Sequence, residues 1–268
     1  MIKVATIAGS DASGGAGLEA DLKTFEEYGL YGMAAVTALA TMDPAQEWAH
    51  RVFPVSGEAL RAQLETVFRG VGVAAAKSGM LGSPYAVELT REFIASYRVK
   101  NYVLDPVMVC KGAGEALNPE LNQAVADKLL PLAEVVTPNL FEASQLSGLP
   151  EATTLEAMKE TARVIAGKGA HTVFVKGGAK LAGAAKAFDV FYDGNDFEVL
   201  EAELLKTNWT HGAGCTTSAA IAAGLARGLS VRAAVRLAKR FITQSLAAGF
   251  PLNKWVGPGN PASWRKAY

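Results

Sequence analysis

The sequence Ile2-Lys3-Val4-Ala5-Thr6-Ile7-Ala8 is a short apolar run of the kind that forms a buried strand. A glycine-rich loop follows at residues 9–17, and beyond it Leu18, Leu22 and Phe25 recur on one helical face. Strand, loop and helix in this order form the repeating unit of a parallel sheet that is covered by helices. This first unit therefore predicts an α/β fold.

The same alternation continues along the chain and predicts a mostly parallel sheet with helices on both faces. Further strands are predicted at residues 33–39, 73–76, 102–104, 135–137 and 172–175, a hairpin at 188–200, and helices around 60–67, 87–94 and 231–242. The sequence shows no internal repeat, linker or low-complexity tract. We therefore expect residues 1–268 to form one domain.

Composition excludes several classes of function. Half of the 268 residues are apolar, and Lys+Arg and Asp+Glu balance at 26 each, which gives no electrostatic support for a nucleic-acid or membrane partner. The two cysteines lie far apart and form no pattern of metal-binding Cys and His residues. So few cysteines also argue against a disulfide framework. We therefore expect a cytoplasmic protein.

A candidate site lies at Thr210-His211-Gly212-Ala213-Gly214-Cys215-Thr216-Thr217-Ser218, ahead of a run of small residues typical of a closely packed helix. The free amides at a helix start bind anions, and glycine lets a ligand approach the backbone. The same field would favour the thiolate of Cys215. The alternative is a glycine turn that leads into a buried helix with an inert cysteine.

The first loop, residues 9–17, has two interpretations. Gly15, Gly17 and Ala20 match the letters of a dinucleotide fingerprint, with Asp43 near the position of a ribose-binding acid. The glycines come too far after the strand for that motif, and a polar loop around a small hydroxylated or heterocyclic substrate fits better. A solvated loop in which Ser13 caps the helix is the alternative.

Three more polar segments follow predicted strands, so all should meet at one edge of the sheet. Asn139 and Glu142 either form a capping box or bind phosphate and Mg²⁺. Asp105, at a strand end, suits a metal or a substrate. After Asp105 comes a glycine-containing loop with Cys110 and Lys111, and this loop could close over a ligand. The last segment contains the lysine of Lys176-Gly177-Gly178, which suits a phosphate or is simply solvated.

Taken together, these motifs resemble the hydroxymethylpyrimidine kinase and pyridoxal kinase branch of the ribokinase superfamily. They are Ala8–Gly17, Asp21–Phe25, Asp105–Met108, Thr137–Glu142 and His211–Thr216, in the family's order and spacing. The resemblance covers nearly the whole chain. It implies a ribokinase-like three-layer αβα fold with a short lid loop, and ATP-dependent phosphorylation of a primary alcohol on a small heteroaromatic ring.

The resemblance also implies roles for individual residues. Gly212, Ala213 and Gly214 would form the anion hole, and Cys215 would be the catalytic base. The remaining roles are ATP binding for Asn139, Lys176 and Gly214, Mg²⁺ binding for Glu142 and Asp105, and substrate binding for Asp11, Asp21, Met42, His50, Met80 and Cys110. Cys110 is also a catalytic candidate, because its thiol can add to an aldehyde.

Within this branch, Met42-Asp43-Pro44, His50 and Cys110 resemble the dual-cysteine pyridoxal kinases. The expected reaction is phosphorylation of the 5′-hydroxymethyl group of pyridoxal, pyridoxine or pyridoxamine. Hydroxymethylpyrimidine (phosphate) kinase activity, alone or in addition, is the alternative. The resemblance further suggests a homodimer. A dehydrogenase and a non-catalytic vitamin B6 sensor remain as other classes, distinguished by NAD binding and by tolerance to loss of Cys215.

Overall fold

A nine-stranded sheet forms the centre of the protein in the computed structural model, which describes residues 1–108, 119–181 and 185–267. The strands are β1 (Lys3–Asp11), β2 (Tyr31–Asp43), β3 (Ala49–Pro54), β4 (Ala75–Ser78), β5 (Tyr102–Leu104), β6 (Val135–Val136), β7 (Thr172–Gly178), β8 (Lys186–Tyr192) and β9 (Phe197–Glu203). Their order is β3-β2-β1-β4-β5-β6-β7-β8-β9. The six central strands are parallel, and β3, β8 and β9 run antiparallel to their neighbours.

Helices cover both faces of this sheet. They are α1 (Gly17–Glu27), α2 (Gly57–Leu64), α3 (Pro84–Ser96), α4 (Pro119–Lys128), α5 (Leu140–Ser147), α6 (Leu155–Gly167), α7 (Ala213–Ala226) and α8 (Val231–Ala247). A π-helical segment, Glu65–Val71, continues α2, and 3₁₀ turns occupy Leu130–Leu132 and Pro261–Ala267. The predicted three-layer α/β fold is confirmed.

Two clusters of buried apolar side chains hold the helices against the sheet, one cluster on each face. Residues of α2 to α6 pack on one face of the sheet, where Leu64 and Phe93 contribute to the core. On the other face, α1, α7 and α8 pack through Phe25, Phe241 and the small residues of α7. Helix α7 is buried almost all round, from Thr216 to Leu225, because its small side chains let neighbouring elements approach closely.

The sequence missed β3, which pairs antiparallel with the extended end of β2. Its pattern of burial is mixed and its side chains are half-buried or exposed, so it lacks the apolar run of a central strand. The end of β2 continues beyond its pairing with β1, and the ribbon that it forms with β3 places Met42 opposite His50. The expected lid loop, with Cys110 and Lys111, lies outside the described residues.

None of the helices in the described part of the chain is long and apolar enough to cross a membrane. The prediction of a single domain over residues 1–268 stays a prediction.

Candidate functional site

One elongated cavity of about 540 Å³ lies at the carboxyl edge of the parallel strands. Its middle is formed by the start of α7 and the ends of β1, β4 and β7. The β2–β3 ribbon closes one end, and α8 with the β8–β9 hairpin closes the other. The four polar segments singled out in the sequence therefore do meet at one edge, as expected for parallel strands.

The predicted anion hole lies at the N-terminus of α7. Gly212 is the N-cap residue with φ 72°, and a Cβ there would collide with the carbonyl oxygen of Gly15. The first-turn amides of a helix have no acceptors within the helix, so those of Gly214 and Cys215 are suited to an anion. The amide of Ala213 already donates to Thr210 at 3.2 Å, so it would have to exchange that bond.

Cys215 lies half-buried in the first turn of α7, close to the backbone amide of Gly17. Burial raises the pKa of the thiol to about 11, although Lys77 and this amide act in the opposite direction. The helix field that the sequence analysis expected to favour the thiolate is therefore opposed by burial. Desolvation of the sulfur outweighs the helix field and the nearby ammonium group.

Asp21, predicted to bind substrate, lies behind the cavity wall. Its side chain is completely buried, and both carboxylate oxygens accept from Lys77 Nζ, at 2.9 and 2.8 Å. Thr6 donates to the same carboxylate at 2.6 Å. This prediction is corrected: with all its partners inside the protein, Asp21 neutralises Lys77. The sequence analysis missed Lys77, which does line the cavity.

Asp11 reaches the cavity, but its carboxylate is engaged within the protein. One oxygen accepts from the Ser13 amide at 2.8 Å, and the other accepts from the Ala16 amide at 2.8 Å and contacts His211 Nε2 at 2.7 Å. Burial alone would raise the pKa of Asp11, but the hydrogen bonds from His211 and Ser13 lower it to about 2. The carboxylate of Asp11 therefore holds the loop, and its predicted contact with substrate stays a prediction.

The start of α1 also differs from the sequence-based alternative of a Ser13 cap. Ala16 is the N-cap residue and offers no side-chain acceptor. Glu19, which the sequence analysis missed, instead accepts from Ser10 Oγ at 2.6 Å and from the Asp11 amide at 2.8 Å. The loop is thus fixed by carboxylates, and it is not open to receive a pyrophosphate.

The other predicted substrate residues do share a wall. Met42, His50 and Met80 all line the end of the cavity that is closed by β2 and β3. Burial lowers the pKa of His50. A neutral imidazole beside two thioethers suits an uncharged or weakly polar aromatic ring.

Asp105 and Lys176 form an ion pair beneath the start of α7. Lys176 Nζ lies 2.9 Å from Asp105 Oδ1, while Ser218 Oγ donates to Oδ2 at 3.1 Å. A Cβ on Gly214 would lie 3.4 Å from Lys176 Nζ, which places the ammonium group directly under the anion hole. Burial would raise the pKa of Asp105, but Lys176 and Lys77 hold it below its usual value.

Asn139 and Glu142 form the capping box that the sequence allowed. Asn139 Oδ1 accepts from the Glu142 amide at 2.9 Å, and Glu142 Oε2 accepts from the Asn139 amide at 2.8 Å. Both residues also line the cavity. Burial raises the pKa of Glu142 to about 7, against the attraction of Lys176. Capping and ligand binding are therefore compatible at this position.

No group of three or more His, Cys, Asp and Glu side chains among the described residues is arranged to hold a metal ion. Asp105 and Glu142 are nevertheless close enough to shift each other's ionisation. Two carboxylates fit Mg²⁺, which usually takes one or two protein oxygens and completes its shell with phosphates and water.

The far end of the cavity was missed by sequence reasoning. Lys239 on α8 lies 2.7 Å from Asp189 Oδ2 on β8, and Asp189 Oδ1 accepts from the Gly178 amide at 2.9 Å. Apolar and small residues complete this end, including Ala187, Ala202, Ile242, Thr243 and Leu246. A lysine in an amphipathic helix is normally solvated, so only the tertiary fold reveals that Lys239 lines the cavity. Cys110 lies outside the described residues.

Comparison with known proteins gives a consistent result. A family model described as phosphomethylpyrimidine kinase matches residues 11–260. The chain is 52% identical to the pyridoxine kinase of Bacillus subtilis (strain 168) over 265 residues, 99% of this chain and 97% of the relative. The crystal structure of an ADP complex of Bacillus subtilis pyridoxal kinase matches with a TM-score of 0.95 at 52% identity and covers 99% of both chains. Staphylococcus aureus pyridoxal kinase in complex with AMP-PCP and pyridoxal matches with a TM-score of 0.94 at 43% identity, covering 99% of this chain and 95% of that one.

Proposed function

The chain is a phosphotransferase of the phosphomethylpyrimidine kinase family, within the ribokinase superfamily, and on this premise we propose that it is an ATP-dependent pyridoxal kinase. It would transfer the γ-phosphoryl group of ATP to the 5′-hydroxymethyl group of pyridoxal and release pyridoxal 5′-phosphate, in salvage of vitamin B6. The observation that carries this proposal is the cavity at the carboxyl edge of the sheet, which has an end suited to an aromatic ring, a middle suited to an anion and a second apolar end.

Each part of the cavity has a role in this proposal. The pyridine ring lies between Met42, His50 and Met80, and the nucleotide extends toward α8. The transferring phosphoryl group then meets the amides at the start of α7 and the ammonium group of Lys176. Positioning and neutralisation of charge are the main requirements of a loose phosphoryl-transfer transition state.

Cys215 is assigned as the general base that takes the proton of the substrate hydroxyl. Since burial raises the pKa of its thiol to about 11, only a small fraction of Cys215 is thiolate at neutral pH. General-base assistance contributes on the order of 10²–10⁴-fold. We therefore expect the anion hole to contribute more to the rate than the base.

Glu142 and Asp105 would hold Mg²⁺, which supplies neutralisation of phosphate charge when bound. Lys176 also pairs with Asp105. Asn139 holds the helix start that presents Glu142.

A coupled assay of ATP consumption with pyridoxal, pyridoxine and hydroxymethylpyrimidine as parallel substrates tests the proposal. We expect the highest kcat/KM for pyridoxal or pyridoxine. Turnover of hydroxymethylpyrimidine alone would contradict it. The family model, named for phosphomethylpyrimidine kinases, favours hydroxymethylpyrimidine as a second substrate, so a slower reaction with that compound is also expected. The homodimer stays a prediction for size-exclusion chromatography with light scattering.

Replacement of Cys215 by Ala tests the base. We expect kcat to fall by about 10²-fold or more, the lower end of general-base effects. The Kd for ATP should stay nearly unchanged, because the sulfur is not a phosphate ligand in this proposal. An equal loss of nucleotide affinity, measured by calorimetry, would instead assign Cys215 a structural role.

Cys110 is proposed to contact the pyridoxal aldehyde. Its sulfur would bond to the aldehyde carbon while the carbonyl oxygen gains a proton, which gives a hemithioacetal. We expect Cys110→Ser to weaken the binding of pyridoxal more than that of pyridoxine, which has no aldehyde. Equal effects on the two vitamers would exclude the covalent contact.

A further inference from the structure

A buried ion pair lies at the end of the cavity that is formed by α8 and the β8–β9 hairpin. Lys239 Nζ on α8 is 2.7 Å from Asp189 Oδ2 on β8, and each side chain is only 8% exposed. Both residues line the cavity. Replacing a buried ion pair by apolar groups is often neutral for stability. Stability alone therefore does not explain why this pair lies at the cavity.

The second carboxylate oxygen of Asp189 holds a bulge at the end of β7. Asp189 is the partner of Lys176 in the β7–β8 ladder, and the register then shifts so that Phe188 pairs with Gly178. Gly177 is thus the extra residue of a β-bulge. Asp189 Oδ1 accepts from the Gly178 amide at 2.9 Å. The residue opposite Lys176 in the ladder therefore also fixes the chain just beyond Lys176.

The backbone of this bulge depends on its two glycines. Gly178 has φ 53°, in the left-handed region. A Cβ on Gly177 would lie 2.6 Å from the carbonyl oxygen of Phe188 and 2.8 Å from Met158 Cε, so the close packing requires glycine there. Bulges are frequent beside active sites, where they redirect a side chain. The side chain that precedes this bulge is that of Lys176.

The direction of Lys176 matters because its ammonium group lies next to the start of α7. Nζ is 2.9 Å from Asp105 Oδ1 and 3.4 Å from the Cβ position of Gly214. The backbone amide of Lys176 donates to the Pro138 carbonyl at 2.8 Å, which fixes this residue on the side away from β8. On the β8 side it is fixed by the ladder and the bulge. A misplacement of about 1 Å in a reacting site can cost about 10²-fold in rate.

We propose that Asp189 and Lys239 are positioning residues for Lys176. Asp189 closes the bulge through the Gly178 amide, and Lys239 keeps the carboxylate turned toward the bulge. The pair thereby sets where the ammonium group of Lys176 meets the phosphates of a bound nucleotide, without being a phosphate ligand itself. This inference rests on the proposed contact between Lys176 and phosphate.

Two matched double variants isolate the bond to the Gly178 amide. Both carry Lys239→Met, so that no buried charge is left unpaired. Asp189→Asn in the first keeps an oxygen acceptor, and Asp189→Leu in the second has a similar shape without one. Calorimetry with AMP-PCP and with adenosine measures binding with and without phosphates. We expect the Leu variant to bind AMP-PCP at least tenfold more weakly and adenosine within about twofold of the parent. The Asn variant should bind AMP-PCP within about threefold of the parent.

A third comparison shows whether the effect passes through Lys176. Lys176→Gln removes the cation and keeps a side-chain N–H for Asp105. In this background the Leu variant should weaken AMP-PCP binding no further, because residues of one network are not additive. Equal weakening in both backgrounds would overturn the inference. A loss of adenosine affinity as large as that of AMP-PCP would also overturn it. Asp189→Ala replaces Asp189→Leu if circular dichroism shows that the Leu variant does not fold.

Lys186→Met/Glu201→Gln is the control, because it removes an exposed ion pair from the same hairpin. Both affinities should stay unchanged in it. Binding of AMP-PCP needs no acceptor substrate, so this inference and the proposed activity fail separately. If pyridoxal is not phosphorylated but the Leu variant loses AMP-PCP affinity, the proposed activity is wrong and the positioning role stands. If pyridoxal is phosphorylated and the Leu variant binds AMP-PCP like the parent, the positioning role is wrong.

Discussion

Three lysines that line the cavity are each paired with an aspartate. Asp105 holds Lys176, Asp21 holds Lys77, and Asp189 holds Lys239. Buried charges require such partners, since an uncompensated ion in the interior costs several kcal/mol. Binding of a phosphate above α7 must therefore compete with Asp105 for Lys176. Phosphate affinity and the ionisation of Asp105 are coupled through this one lysine.

The Asp11 carboxylate should contribute to stability in a pH-dependent way. Its folded pKa of about 2 lies below the ordinary value of 3.8, so its contribution is complete above pH 3.8 and is lost as pH falls toward 2. We expect Asp11→Asn to lower the free energy of unfolding by about 2 kcal/mol at pH 7. Urea denaturation should show a smaller difference from the parent at pH 3.

Asp196→Asn is the matched control, because Asp196 lies exposed in the β8–β9 turn. The same substitution there should change stability by less than about 0.5 kcal/mol. Equal effects at the two positions would mean that the bonds to Ser13, Ala16 and His211 contribute nothing measurable.

Gly212 should be intolerant of any side chain. It has φ 72°, and its Cβ position is occupied by the Gly15 carbonyl oxygen. Gly228 has a similar φ of 83° but no atom within 4 Å of its Cβ position. We expect Gly228→Ala to cost about 1 kcal/mol with turnover retained. Gly212→Ala should lose at least a hundredfold in kcat, because the start of α7 must shift.

Steady-state kinetics and thermal unfolding of both alanine variants distinguish two effects. Gly228→Ala shows the effect of backbone strain alone, and Gly212→Ala adds the collision of the new Cβ with the Gly15 carbonyl oxygen. Similar turnover in the two variants would show that the contact between Gly212 and Gly15 is not needed for the anion hole.

At the scale of elements, the two ends of the cavity belong to different parts of the chain. The β2–β3 ribbon provides one wall, and α8 with the β8–β9 hairpin provides the other. The KM values for pyridoxal and for ATP should therefore change with separate substitutions, although the two substrates react in one cavity.

Ala40 on β2 and Thr243 on α8 allow a reciprocal test, since both are half-buried and line the cavity. We expect Ala40→Phe to raise the KM for pyridoxal about tenfold, as an overfilled site costs 1–3 kcal/mol. The KM for ATP should change little. Thr243→Phe should do the reverse, so each variant is the control for the other. A rise of both KM values in both variants would contradict the assignment of the two ends.

Sequence patterns identified the elements with a single strong period and missed those that depend on distant partners. The apolar run at 102–104 gave β5 with the correct bounds, and the capping box gave the start of α5. Strand β3 was missed because its side chains are half-buried or exposed, without an apolar run, and its pairing with β2 is tertiary. Asp21 was misassigned for a related reason. Nothing in its helical spacing reveals that Lys77, 56 residues away, fully occupies its carboxylate.

At the scale of the whole molecule, both helical layers pack on the same sheet. Neither buried cluster could keep its apolar side chains from water if the sheet were lost. We therefore expect one cooperative unfolding transition, as the predicted single domain requires. Far-UV circular dichroism and tryptophan fluorescence should give coincident denaturation curves. Two separate transitions would divide the chain into independent units.

The contact between Asp11 and His211 joins residues that are 200 positions apart in the chain. Closing so long a loop costs entropy before the contact yields any stabilisation, and chains rich in such contacts fold slowly. We therefore expect the glycine-rich loop, α1 and Cys215 to meet late in folding. Catalytic competence should then appear late, and during synthesis on the ribosome the site cannot assemble before α7 has emerged.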